Sequence, residues 1–284
     1  MKNNLKTAVL LGGLGGLLVV IGQLIGGGTG AFVGAGIGLL IVGFSYWNSD
    51  KLAVRAAGAH PVSEAEAPQF YATIRNLTLR AEMPMPRLYV SSQQQPNAFA
   101  TGRNPEHAAV CVTDGLVQVL GWGPEMEGVL AHELGHVRNR DILISSVAAA
   151  VATGITLIAT MLRFAAFFGG RDDDDGNPLA LLAMAMLAPL AAGLLQMALS
   201  RSREFEADRS GASLVGDGEP LARALETIEG YARRVPMDID PAHAQAFIVN
   251  PLTGRKMHFA NLFRTHPSTE ERAARLRSRE WANR

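Results

Sequence analysis

The sequence predicts a mainly α membrane protein, four transmembrane helices joined to a cytoplasmic α+β domain, and three observations carry that prediction. Of 284 residues, 48% are hydrophobic and only 18% charged, against about a quarter charged in soluble domains. Four long apolar stretches divide the chain. Between and after them lie segments of ordinary charge density that hold short β-branched runs and a helix bearing paired histidines. The 26 basic and 26 acidic side chains cancel, so no net field draws in phosphate backbones and no nucleic-acid partner is expected. The single cysteine, Cys111, excludes an internal disulfide and a cysteine-rich metal site, which suits a reducing compartment.

Taken in order, Ala8–Ile25 and Ala31–Trp47 each run for roughly the length that crosses about 30 Å of hydrocarbon, and neither contains a charge. Gly12 and Gly16, then Gly34 and Gly38, recur at small-xxx-small spacing, which lets helix backbones approach closely in lipid. Only Gly26–Gly30 separates the two stretches, so residues 1–47 are expected to form a transmembrane hairpin with a tight turn. Lys2 and Lys6 also suit a signal peptide, but no small-x-small cleavage site follows. Residues 48–141 then form a cytoplasmic segment with two short strands, Arg87–Ser91 and Ala108–Thr113.

Residues 142–199 read as a second hairpin. Ile142–Phe168 is broken only by Arg163, which can snorkel, and Leu179–Leu199 carries a tolerable Pro189. The acidic turn Asp172–Asp175 between them reads as solvated, its spacing being wrong for a calcium loop. Residues 200–284 form a further cytoplasmic segment. Lys2, Lys6, Lys51, Arg55, Arg138, Arg140, Arg201 and Arg203 all flank the spans on one side, which the positive-inside rule makes cytoplasmic.

Glu125–Arg138 has apolar residues at helical spacing, with Pro124 at a first-turn position and Glu125 and Glu127 placed to favour a helix start. Within it His132, Glu133 and His136 spell H-E-x-x-H. Histidines four apart project from one helix face and can share a zinc ion, while Glu133, one position round, is aimed at a water on the same ion. The competing reading is an amphipathic helix with incidental histidines. Catalytic zinc needs a third protein ligand, and Glu204 supplies one just after the fourth span, as His136 stands just before the third. Asp208, four residues on, then backs a ligating histidine. Glu206 points about 200° round that helix from Glu204 and reads as solvated. The bland alternative is a charged juxtamembrane helix whose Arg203 meets lipid phosphates. His60, His107, His243 and His258 lie outside the pattern and read as surface or core residues, with His107 beside Glu106 a possible stray metal contact.

The order of motifs resembles that of HtpX-type membrane zinc metalloproteases, relatives of the CAAX prenyl-protein endoproteases. PNAFATG at Pro96–Gly102, HELGHVRNRD at His132–Asp141, SRSREFEAD at Ser200–Asp208 and HPSTEER at His266–Arg272 carry that resemblance along nearly the whole chain. It implies a cytoplasmic zincin-like α+β protease domain with one zinc ion per subunit. His132, His136 and Glu204 would bind the ion, with Glu133 as general base and Asp208 behind the ligands. It further implies Asn97 on a substrate-facing edge strand and His266 as a hydrogen-bond donor to the transition state. Without it, His266-Pro267 is only the lead-in to a helix capped by Ser268 with Glu271.

The implied activity is hydrolysis of peptide bonds in misfolded or membrane proteins at the inner membrane, on its cytoplasmic side. Its implied partners are protein substrates and the lipid bilayer. Two rival readings are a CAAX-type prenyl-protein protease, which has more spans, and a non-catalytic zinc-binding membrane scaffold.

Overall fold

In the computed structural model, which describes residues 2–143, 201–235 and 267–282, a four-stranded sheet supports the H-E-x-x-H helix. The β-branched runs become strands where the sequence places them: β2 at Arg87–Ser91 and β4 at Ala109–Thr113. β4 is buried along its whole length, as a strand of the composition AVCVT tolerates. It pairs in parallel with β2, Leu88 opposite Val110 and Val90 opposite Val112. Two antiparallel edge strands flank this pair, β1 (Ala59–Pro61) beside β2 and β3 (Ala98–Thr101) beside β4, giving the order β1-β2-β4-β3.

Helices α2 (Pro68–Ala81), α3 (Asp114–Leu120) and α4 (Pro124–Arg138) follow in chain order, then α5 (Arg201–Val215), α6 (Glu219–Arg234) and α7 (Thr269–Arg277). One core joins them to the sheet: Phe70, Ile74 and Leu77 of α2, Met126, Leu130 and Leu134 of α4, and Leu221, Leu225 and Ile228 of α6. The α2 and α6 residues recur at three- and four-residue spacing, so one stripe of each helix faces inward. α4 starts at Pro124, where the missing N–H costs no helical bond. α7 starts as the sequence indicates, the Glu271 N–H donating to Oγ of Ser268 at 3.1 Å.

α4 and α5 cross at glycines. A Cβ on Gly211 would stand 2.8 Å from the backbone nitrogen of His132, and one on Gly135 would stand 3.0 Å from the carbonyl oxygen of Ala207. The two backbones are therefore in contact, and bulkier residues at either position would hold them apart.

The chain divides into two compact units, Met1–Trp47 with Val147–Ala198 and Asn48–Ser146 with Leu199–Arg284. The hairpin expected over residues 1–47 is corrected: Lys2–Ala56 is a single 55-residue helix, α1. The glycines at 26–30 continue it, with Gly27 alone among the described residues of α1 at positive φ, 57°. That run holds no Asn, Asp or Pro to fix a turn, whereas a continuing helix keeps each backbone N–H bonded. Among the described residues, no helix is long and apolar enough to cross a membrane. The third and fourth spans (apart from residues 142–143), the acidic turn, His243, His258 and His266 lie outside the described residues.

Candidate metal centre

The i, i+4 spacing on α4 brings the His132 and His136 rings together, their centroids 4.7 Å apart and their planes at 85°. α5, held against α4 by the glycine crossing, delivers Glu204 to the same point. Its Oε2 lies 3.8 Å from Nε2 of His132, and its Oε1 lies 3.6 Å from Nε2 of His136. Two donors each about 2.1 Å from a tetrahedral ion stand roughly 3.4 Å apart, so these separations are those of a site needing only small adjustment to close on zinc. Among the described residues this is the one group of His, Cys and acidic side chains that converges as a metal site would, with all three donor atoms within 4.8 Å of one another. Two imidazoles and one carboxylate fit zinc and leave a fourth position for water.

Behind the donors, Nδ1 of His132 meets Oδ1 of Asp208 at 2.9 Å. A neutral imidazole donating from Nδ1 leaves Nε2 free to bind metal. Arg272, from α7, is 2% exposed and grips the same carboxylate, its Nε donating to Oδ2 at 2.9 Å and its Nη2 to Oδ1 at 2.7 Å. Burial alone would raise the Asp208 carboxyl, but the Arg272 guanidinium and the bond from His132 hold it down at about 2. α7 is tied down beside this pair by Arg277, which donates to Glu219 at 2.8 Å and to Glu226 at 2.7 Å on α6.

Glu133 is buried between the donors and the edge strand, its Oε2 accepting the Ala100 N–H at 2.8 Å. Burial pushes its carboxyl up, the two histidines pull it down and Glu204 pushes it up again, leaving it above the ordinary carboxylate range. A base raised toward neutrality is suited to taking a proton and returning it.

The sequence-indicated residues separate cleanly. His132, Glu133, His136, Glu204 and Asp208 come together. Asn97 directly precedes β3 and is buried, its N–H donating to Oγ1 of Thr113 at 2.9 Å. Glu206 turns to Arg209 instead of the donors. Arg203 is buried, not exposed on a lipid-facing surface. His60 and His107 are exposed, and His107 folds onto Asn104, Nδ1 to Oδ1 at 2.7 Å. Sequence reasoning gave Arg272 no role beyond closing the HPSTEER motif. The signal was present: Thr269, Arg272, Ala273 and Leu276 form the buried stripe of α7, and a charge on such a stripe needs a partner.

An H-E-x-x-H helix crossed by a second helix bearing an acidic third donor, under the edge strand of a small sheet, defines a metal-dependent peptidase. The chain belongs to peptidase family M48, whose sequence pattern matches residues 64–280, and it is a metalloprotease. It is 52% identical over 281 residues to the "Protease HtpX homolog" of Burkholderia mallei (strain SAVP1), covering 97% of this chain and 96% of that protein. The protein of the same name from Burkholderia pseudomallei (strain K96243) matches equally, at 52% over 281 residues. In fold the chain is similar to the crystal structure of S. mikatae Ste24p, with a TM-score of 0.51 at 20% identity, covering 97% of this chain and 64% of that one.

Proposed function

We propose that this protein is a membrane-embedded, zinc-dependent endopeptidase that cuts misfolded or membrane proteins on the cytoplasmic side of the inner membrane. The observation that carries the reading is the convergence of His132, His136 and Glu204 with Glu133 beside them. Zinc bound there would polarise the scissile carbonyl and acidify a bound water. Glu133, buried beside the donors, would take a proton from the attacking water and return it to the leaving amine. Asp208 keeps His132 in the tautomer that binds metal.

The substrate chain is taken as an added strand on β3. Asn97 accepts from the Thr113 N–H through its carbonyl oxygen, so residues in step with it face β4. Ala98 then presents its N–H and carbonyl, and Ala100 its carbonyl, to the open edge, the Ala100 N–H being taken by Glu133; main-chain groups at that edge support recognition with little demand on sequence. Such tolerance suits misfolded chains. Asn97, at the start of that edge, is assigned to holding the substrate backbone, and His266 to donating a hydrogen bond to the oxyanion, both on the family resemblance.

Membrane residence is supported by the exposed apolar side chains of α1, although no described helix is long and apolar enough to cross a bilayer. Phe32, Leu39 and Leu40 are 82%, 75% and 74% exposed, and Phe44 and Trp47 are exposed beside them. Bare apolar side chains at this density on one helix are costly in water and ordinary in lipid. Lys51, Arg55, Arg138, Arg140, Arg201 and Arg203, which border residues 48–141 and 200–284, support a cytoplasmic side for those segments.

The test is hydrolysis of an unfolded protein by the detergent-purified full chain, with chelator, zinc add-back and Glu133→Gln in parallel. The proposal expects cleavage that chelator abolishes and zinc restores, and none from Glu133→Gln. Equal cleavage by both proteins would remove Glu133 from the chemistry, and no cleavage by the zinc-loaded wild type would favour a scaffold.

A further inference from the structure

His132 has Asp208 behind it; His136 has a carboxylate behind it as well, and it comes from a different place. The last turn of α4 closes through the Asp141 N–H, which donates to the carbonyl of His136 at 2.9 Å, and the Arg140 N–H, which donates to the carbonyl of Val137 at 3.1 Å. That pair of bonds is a Schellman motif, which requires a left-handed residue between them. Arg140 fills it at φ 57°, where glycine is usual. Glu82 and Arg279 hold the same conformation at the ends of α2 and α7, so a left-handed cap is not in itself unusual in this chain. What distinguishes Arg140 is the residue it turns inward. Asp141 is 2% exposed, and its Oδ2 lies 3.5 Å from Nδ1 of His136, whose other ring nitrogen faces Glu204 at 3.6 Å.

We propose that Asp141 is the positioning residue for His136: the left-handed turn at Arg140 folds its carboxylate back onto Nδ1, so that each ligating ring is held by its own aspartate. The two supports are independent. Asp208 arrives on α5 and is fixed by Arg272 of α7, whereas Asp141 is built into the end of α4 itself. One of the three donors is therefore oriented by local sequence, and the HExxH helix carries its own support wherever its final turn closes this way. Closing that 3.5 Å approach to a hydrogen bond would fix the proton on Nδ1, leave Nε2 as the donor atom and raise its basicity.

The rival role for Asp141 is purely structural. Arg203 of α5 is buried close enough to feel its charge, and Asp141 would then serve to balance that cation. Zinc affinity separates the two roles, because balancing Arg203 leaves the His136 ring untouched.

The inference rests on the zinc reading above, and the experiment keeps the two apart. Zinc dissociation constants are measured by competition with a chromophoric chelator on the full chain in detergent, for wild type, Asp141→Asn, Arg203→Met, Asp141→Asn/Arg203→Met and Arg140→Gly. Melting temperatures of the chelated proteins are recorded alongside. The positioning role predicts roughly 10- to 100-fold weaker zinc binding whenever Asp141 is replaced, including in the double variant, where no buried cation is left unbalanced. It predicts unchanged zinc affinity for Arg203→Met. For Arg140→Gly it predicts unchanged affinity with a melting temperature about 2–4 °C higher, as the left-handed strain is relieved.

Zinc affinity within about twofold of wild type in the double variant, whatever its melting temperature, would overturn the role. Wild type that binds no zinc would overturn the zinc reading and this inference with it.

Discussion

Adding one methyl group at Gly211 tests whether backbone contact between α4 and α5 sets the donor geometry. The new Cβ of Gly211→Ala would lie 2.8 Å from the His132 nitrogen, 3.0 Å from the Ala131 carbonyl carbon and 3.0 Å from the His132 Cα, where ordinary contact begins at 3.4 Å. All three are backbone atoms, so no side chain can swing away, and the helices must part by about 0.6 Å. Helix propensity works the other way, since Ala exceeds Gly by about 1 kcal/mol in a helix interior. Overpacking typically costs about 1–3 kcal/mol, so the net change is a loss of up to about 2 kcal/mol.

The larger effect falls on metal. Glu204 stands at 3.6 and 3.8 Å from the two imidazole nitrogens, and parting by that amount takes it past 4 Å, well beyond the roughly 3.4 Å that zinc requires. Recovering that distance draws on binding energy, and we expect zinc affinity to fall by at least tenfold. The assay is chelator competition together with urea unfolding of the chelated protein. Gly230→Ala on α6 is the control, because its Cβ would meet only the Arg234 side chain at 3.8 Å and should stabilise by about 0.5–1 kcal/mol. If Gly211→Ala behaves like that control, with zinc affinity unchanged, the contact argument is wrong.

Two further predictions concern Asp208. Arg272→Met strands a buried carboxylate and should destabilise the protein by about 3–5 kcal/mol in urea, while Arg272→Met/Asp208→Asn, which removes the charge as well, should recover part of that loss. The Asp208 carboxyl is held at about 2, below its ordinary value of 3.8. A depressed carboxyl contributes stability that is fully present above its unfolded value and lost as pH falls through its folded one, so unfolding of the chelated protein should show a proton-linked loss between about pH 4 and pH 2. Asp208→Asn should lack that loss, as followed by fluorescence during acid titration.

Much of the site was legible because it is written in local periodicity. Histidines four apart share a face of any helix, and Glu204 and Asp208 share a face of another, so neither needed tertiary information. The strands β2 and β4 were legible from β-branched runs, and the α7 start from Ser268. Long-range pairing was not. Arg272 finds Asp208 across 64 residues, and nothing along the chain connects them.

The glycines were the hardest residues to read. Gly26–Gly30 reads as a turn because glycine permits one, yet permission is not specification, and α1 continues. Gly135 and Gly211 carry no signal in the sequence, because their value is the absent side chain that lets α5 reach α4. The left-handed Arg140 gave no signal, since an arginine there looks like any surface residue.

The most direct test of the whole account is elemental analysis of the detergent-purified chain after zinc loading and dialysis, for wild type and Glu204→Ala. The account predicts one zinc per chain in the wild type and close to none in Glu204→Ala, with both proteins folded. An absence of zinc in the wild type, or one equivalent retained in Glu204→Ala, would contradict it.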